Sequence, residues 1–196
     1  MEERDIDKIS DIHMLIRPKE TTMITRFGRN FCYELIGLIY KTEPGCCFVA
    51  EQKQNIVGYL LGTSDSKKLN KRIIMGIGPL FIPKLIARKY VISENFDIIL
   101  YLIYYLLKHS INKSIKAEEI EIGVLSEGRR RGIASLLVKK FFSYLKSKDI
   151  KNAKVSAYKK EIQSIKFHSN FYTPIHTEKT PIGYIVHFAA DLKDFK

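Results

Sequence analysis

The chain has 196 residues, a formal charge of +12 and a sequence pI near 9.5, with 45% hydrophobic and 28% charged residues. At about 100–200 residues per domain, this length fits a single domain over residues 1–196 and excludes two large modules. The three cysteines, Cys32, Cys46 and Cys47, make neither a disulfide framework nor a CxxC metal site, so a reducing, cytoplasmic setting without a metal is expected.

The N-terminal MEERDIDKISDI lacks the basic-then-apolar order of a secretion signal. Ile6, Ile9, Ile12 and Leu15 recur every third residue after Asp5, which predicts a short helix ending near Pro18. Phe27, Phe31, Leu35 and Leu38 predict a second helix that stops before Glu43-Pro44-Gly45. Two β-rich runs, Cys46–Glu51 and Ile56–Gly62, flank the polar Gln52–Asn55 and read as an antiparallel hairpin. Residues 64–116 read as a helical insertion, with a buried helix over Phe96–His109. Its apolar stretches, Ile73–Ile86 and Ile98–Leu107, are interrupted or too short for the about 20 residues of a spanning helix, so no transmembrane segment is expected.

From Glu118 the pattern sharpens. Ile120, Ile122 and Val124 alternate with Glu119, Glu121 and Gly123, as in a strand with one apolar face. The loop Ser126–Gly132 follows, then Ile133, Leu136, Leu137, Phe141, Tyr144 and Leu145, an apolar stripe at helical spacing. Ala153–Tyr158 and Tyr184–Ala190 read as strands and Glu161–Asn170 as a short helix, with Thr173-Pro174 and Pro181–Gly183 as turns. Strands and helices interleave, so the class is mixed α/β.

Charge is concentrated here. Residues 129–166 carry twelve Lys/Arg against two Asp/Glu, whereas residues 1–50 carry seven against eight. Nucleic acid, an anionic membrane or a phosphate-bearing ligand could each want such a segment. A glycine loop opening a helix aims unpaired N–H groups and the positive dipole end at one point, and Arg129, Arg130 and Arg131 add guanidinium forks, so phosphate is the expected guest. The gap between Gly128 and Gly132 fits neither a Walker loop nor a GxGxxG fingerprint. Lys139, Lys140, Lys146, Lys148, Lys151 and Lys154 read as a solvated face and loop.

The segment Ile122–Val138 (IGVLSEGRRRGIASLLV) resembles the acetyl-CoA signature of the GCN5-related N-acetyltransferases (GNAT), in which a strand ending in Val runs into Q/R-x-x-G-x-G/A. Arg129, Gly132 and Ala134 fill those places. Ala153–Ala157 is similar to the family's fifth strand, Glu161–His168 to its NxxAxxFY helix, and Phe48–Tyr59 to its second and third strands. The resemblance implies a central mixed, mostly antiparallel β-sheet flanked by helices, the insertion lying between the family's third and fourth strands. Met1–Arg4 leaves little room for the family's first strand, so a later strand should form the sheet edge.

The resemblance also implies a site. Acetyl-CoA, with no metal, would lay its pyrophosphate on Arg129, Arg130, Arg131, Gly132, Ile133, Ala134 and Ser135, and its pantetheine arm along Ile122, Gly123 and Val124, with Glu161 and Ser164 as further contacts. A backbone N–H of Val124 or Leu125 would polarise the thioester. Glu119 and Glu121 are the candidate bases for the amine. His168 replaces the family's usual thiolate-protonating tyrosine and is the candidate acid, with Tyr172 in reserve; Glu161 replaces its asparagine. The implied activity is transfer of an acetyl group to a primary amine of a small metabolite, amino sugar or peptide by direct attack on the thioester. The partners are then acetyl-CoA and the amine. No nucleic acid is expected, and the basic insertion leaves room for peripheral membrane contact or a homodimer. The competing readings are a basic nucleic-acid-binding domain and an acetyltransferase-like CoA binder without turnover.

Overall fold

The computed structural model describes residues 1–17, 25, 27–87 and 114–193. It opens with α1 (Asp5–Ile16), which buries Ile6, Ile9, Ser10, Ile12 and His13. Asp5 and Asp7 occupy its first turn, where carboxylates oppose the positive end of the helix dipole. Leu15, expected on the buried stripe, is 76% exposed. Nine residues at about 100° each bring it to the side opposite Ile6, because three-residue steps drift away from a 3.6-residue period.

Helix α2 (Arg29–Thr42) buries Phe31, Cys32, Leu35, Ile36 and Ile39. Phe27 lies before it and Leu38 only borders the core. Arg29 ties the two helices through Asp7 at 2.6 Å and Asp11 at 2.7 Å, exposed pairs that contribute little singly. The predicted hairpin is β1 (Cys47–Gln52) and β2 (Asn55–Thr63). Lys53 and Gln54 make its two-residue turn at φ 51° and 64°, the positive values that match the twist of the strands.

After β2, the Asp65 carboxylate accepts the N–H groups of Lys67 and Lys68 at 3.0 and 3.1 Å and caps α3 (Ser66–Ala87). That helix forms the first part of the expected insertion; the helix expected over Phe96–His109 lies outside the described residues. Then come β3 (Ala117–Val124), α4 (Ile133–Ser147), β4 (Asn152–Tyr158), α5 (Ile162–His168), β5 (Thr173–Thr180) and β6 (Gly183–Asp191). Strand β5 corrects the expectation of a turn at Thr173-Pro174. In α4 the buried set is Leu137, Val138, Phe141, Phe142 and Leu145, while Leu136 is 56% exposed.

The fold is mixed α/β. Six strands form one sheet in the order β1-β2-β3-β4-β6-β5, and β3–β4 is its parallel pair. Strand β1 is an edge, and no strand precedes α1 among the described residues. Helices α1 and α2 and the start of α3 cover one face through Ile9, Leu35, Ile39, Tyr59 and Leu69. Helix α4 covers the other through Val138, Phe141 and Phe142, which meet Leu60, Tyr172 and Phe188. Strand β2 is buried on both faces, which is why its apolar run barely alternates. Lys154, expected in solvent, is 8% exposed and pairs with Glu118 at 3.3 Å, its direct neighbour in the β3–β4 ladder.

Gly123 lets α1 close over β3. A Cβ there would fall on Ile16 Cδ1 and lie 2.6 Å from Tyr59 Cε1, both in the packed layer. Gly123→Ala should therefore destabilise the chain by about 1–3 kcal/mol, the usual cost of overpacking. The expected reading is a lower Tm in thermal unfolding, with the secondary structure retained below it.

Candidate active site

The site begins where two strands part. β3 and β4 pair only over Ala117↔Ala153, Glu118↔Lys154 and Glu119↔Val155, yet β3 runs on to Val124 and β4 to Tyr158. The divergence coincides with a bulge. On β3, Glu121 opposes Leu61 and Glu119 opposes Gly62, leaving Ile120 as the extra residue.

Beyond the bulge, β3 stays bound to β2 on one edge and loses its partner on the other. Leu125 N–H donates to Val57 O at 2.9 Å. The alternation of an antiparallel ladder then turns the N–H and C=O of Val124 and Ile122, opposite Gly58 and Leu60, toward the side that β4 has left. Of the two N–H groups expected to polarise a thioester, Leu125's is thus engaged in the sheet, while Val124's faces the fork.

Above the fork sits the basic loop. A 3-10 turn over Ser126–Gly128 leads to Arg129, whose Nε donates to Val124 O at 3.2 Å, so this arginine also ends the strand. Arg130 adopts φ 60° and Gly132 φ 76°, and Gly132 is the N-cap of α4 without any side-chain cap. Leu136 N–H bonds Gly132 O at 2.9 Å, whereas the N–H groups of Ile133, Ala134 and Ser135 have no acceptor among the described residues. A Cβ on Gly132 would meet nothing within 4 Å, so the donors border open space. Arg130 and Arg131 are exposed, and Ile133, Ala134 and Ser135 are half-buried. These are features of an anion cradle.

Below lies a set of titratable groups. The bulge overturns the expectation that Glu119, Glu121 and Gly123 share a face. Glu119 turns into the α4-side layer, where its Oε2 accepts the Tyr172 hydroxyl at 2.7 Å and its Oε1 lies 3.8 Å from His168 Nδ1. Glu121, like Gly123, turns toward α1, where Arg17 Nε donates to it at 3.1 Å and Nη2 bonds the same oxygen. Arg17 Nη1 also reaches Glu161 at 3.2 Å, so one guanidinium bridges β3 to the residue that precedes α5. Glu161 is therefore turned to Arg17; Ser164 is half-buried on α5.

Burial sets the protonation states. It pushes Glu119 up to about 7, against the Tyr172 hydrogen bond and with some help from Glu121. It pushes His168 down to about 4, so this imidazole is neutral at pH 7. Tyr172, also desolvated and beside Glu119, keeps its proton well above the usual tyrosine range. Glu119 Oε1 and His168 Nδ1 are buried 3.8 Å apart, and neither has a hydrogen-bond partner among the described residues.

Sequence reasoning missed Arg17, and with it His13 and Tyr59, joined at 2.7 Å through His13 Nδ1 and the Tyr59 hydroxyl. The available signal was polarity on an apolar stripe: His13 and Arg17 continue the line of Ile6 and Ile9 at four-residue steps.

The paired shifts have opposite signs in linkage. A raised carboxyl pKa makes folding less favourable as pH rises from 4.5 to about 7, and a lowered histidine pKa makes it less favourable as pH falls from 6.5 to about 4. In the wild type the two oppose each other between pH 4.5 and 6.5. Glu119→Gln should expose the histidine, its Tm falling by several degrees from pH 6.5 to 4.5. His168→Gln should do the reverse, gaining Tm over the same interval. Parallel profiles for both variants and the wild type would show that the pair is not coupled to folding.

The model of the acetyltransferase (GNAT) family matches residues 14–171, which spans the end of α1, the fork, the loop and α5. No curated protein matches the chain. Among solved structures, SsHAT is 14% identical with a TM-score of 0.74, over 98% of this chain and 96% of that one. Naa20 of Chaetomium thermophilum, crystallised with a bisubstrate analogue, is 16% identical with a TM-score of 0.60, over 98% and 85%. The ribosomal-protein-alanine N-acetyltransferase of Brucella melitensis is 11% identical with a TM-score of 0.55, over 97% and 96%. At such identities these likenesses show the fold alone. The family match covers most of the chain and includes the strand, loop and helix that form the fork and its anion cradle: the chain belongs to the acetyltransferase (GNAT) family.

Proposed function

We propose that the chain is an acetyl-CoA-dependent N-acetyltransferase that moves an acetyl group onto a primary amine of a small metabolite, amino sugar or peptide by direct attack. The observation that carries this reading is the fork: a β3 edge that β4 leaves after Glu119, beneath a glycine-capped helix whose first N–H groups have no acceptor among the described residues. Arg130, Arg131 and the N–H groups of Ile133, Ala134 and Ser135 would hold the phosphates, and the peptide groups of Ile122 and Val124 would take the extended arm as a strand takes a neighbour. When bound, acetyl-CoA supplies the acyl donor.

The chain's own residues divide the remaining work. The Val124 N–H is fixed by the β2 ladder and aimed into the fork, which suits it to a developing oxyanion. Glu121 is the base we assign, because Arg17 holds its carboxylate together with that of Glu161, between β3 and a residue that follows β4, the two arms of the fork. Arg17 fixes Glu121 in place. Tyr172 is the acid we assign in preference to His168, since its hydroxyl keeps its proton at neutral pH, where the buried imidazole is neutral, and Glu119, which accepts that hydroxyl, can relay a proton to it.

Titration calorimetry at moderate salt tests the binding half. Acetyl-CoA should bind near-stoichiometrically, ATP and dephospho-CoA should not match it, and Gly132→Val should weaken binding about tenfold or more, because φ 76° excludes a branched side chain. Equal binding of all three polyanions would reduce the loop to a generic basic patch. For the chemical half, free-thiol release with a panel of amines should fall about 10²-fold in Tyr172→Phe and stay near wild type in His168→Phe. Binding without thiol release on any amine would favour a CoA binder without turnover.

A further inference from the structure

The sheet carries a second chemical grouping on the face turned away from α4. In β4, Val155 and Ala157 enter the α4-side core, so Ser156 between them points to the opposite face, where it is exposed. Ser156 and His187 are direct partners in the β4–β6 ladder, and Ser156 Oγ lies 2.9 Å from His187 Nδ1. His187 Nε2 lies 3.2 Å from Glu178 Oε2 on β5. His176, paired with His187 across β5–β6, stacks on its ring at 6.3 Å and 15°.

Chemistry fixes the direction of this chain of contacts. A carboxylate only accepts, so His187 Nε2 carries the hydrogen and Nδ1 presents its lone pair to the Ser156 hydroxyl, which donates. A buried acid thus orients an imidazole that acts on an accessible hydroxyl, in the order acid, base, nucleophile. Glu178 is 9% exposed, His187 is half-buried and Ser156 is open. Burial lowers the His187 pKa while Glu178 raises it, and the lowered balance leaves the imidazole free to take a proton at neutral pH.

We propose that Ser156, with His187 as its base and Glu178 as the residue that positions His187, is a nucleophilic acyl-acceptor centre separate from the fork's carboxylates. In the forward step, Ser156 Oγ bonds to the carbonyl carbon of an activated ester or thioester. Its proton passes to His187 Nδ1, the bond from carbonyl carbon to the leaving oxygen or sulfur breaks, and His187 returns the proton to that group. Water or an amine then discharges the serine ester by the same exchange.

The test uses the full chain with p-nitrophenyl acetate, with peptide mass spectrometry to locate the acetyl group. The wild type should release nitrophenolate and carry acetyl on Ser156. Ser156→Ala should lose that site, and His187→Gln should acylate it about 10²-fold more slowly, with Tm and acetyl-CoA calorimetry unchanged. Glu178 is tested by pH profile. With its carboxylate gone, the midpoint for acylation in Glu178→Ala should move to lower pH, against the fixed influence of His176, Glu118 and Lys154 nearby. An unmoved midpoint would leave Glu178 a purely structural residue and overturn its assignment. A fluorophosphonate reagent labels activated serines without any variant and guards against misfolding of the substituted chains. A wild type unlabelled at Ser156 by both reagents, or acylation there at an equal rate in His187→Gln, overturns the proposal. A parallel incubation with acetyl-CoA alone, followed by the same mapping, shows whether a thioester can serve as donor. Because p-nitrophenyl acetate needs no CoA site, failure of the Ser156 proposal and failure of the N-acetyltransferase reading remain distinguishable.

Discussion

One extra residue on β3 organises the site. The bulge at Ile120 ends the β3–β4 ladder after three pairs and reverses which face each later side chain takes. Peptide groups without partners cost about 1–3 kcal/mol each when buried, so a fold keeps such an edge only where water or a ligand can pair with it. The arms of the fork are held from outside: β3 by its ladder to β2, β4 by its ladder to β6, and both at the closed end by Glu118 and Lys154. The opening is therefore built into the sheet and does not require the sheet to break.

The same bulge separates two glutamates that lie two positions apart in the chain. Glu119 shares a dry layer with Tyr172, Phe142 and Phe188, where a charge is costly and a proton is retained. Glu121 meets Arg17, and Arg17 also meets Glu161, so two carboxylates and one guanidinium join the strand to the helix that follows β4. Positive charge gathers above the fork at Arg129–Arg131 and carboxylates gather below it. An anionic ligand and a cationic amine would enter such a field from opposite ends.

Much of this was legible in the sequence, and the failures have physical causes. The strand, glycine loop and amphipathic helix from Ala117 to Ser147 could be read because period 2, then glycine, then period 3.6 follow one another without overlap. The faces of Glu119 and Glu121 could not, because alternation assumes a regular pleat and a bulge leaves no mark in residue type. Strand β5 was hidden by its polarity. Thr173-Pro174 opens it, and its buried positions are Glu178 and Thr180, so it shows no apolar alternation. Leu15 and Leu136 misled in the other direction, as apolar residues on the wrong side of otherwise correct helices. Arg17 was missed because it pairs with residues more than a hundred positions away, a partnership that only the fold creates.

The pleat also explains how adjacent strands can carry two groupings on opposite faces. On β4, Val155 is the last residue paired with β3 and points into the α4-side core, while Ser156, the next residue, points to the other face. Past the fork β4 has lost its β3 neighbour, so the placement of Ser156 rests on β6, and β6 places His187 directly opposite. The geometry of Ser156, His187 and Glu178 is then set by three strands in register and by none of the loops. A substitution in the basic loop would leave these contacts in place, and one at Ser156 would leave Glu119 and Tyr172 untouched on the far face. Glu119 on β3 and Ser156 on β4 therefore take opposite faces of the sheet although Val155, the residue before Ser156, is the ladder partner of Glu119.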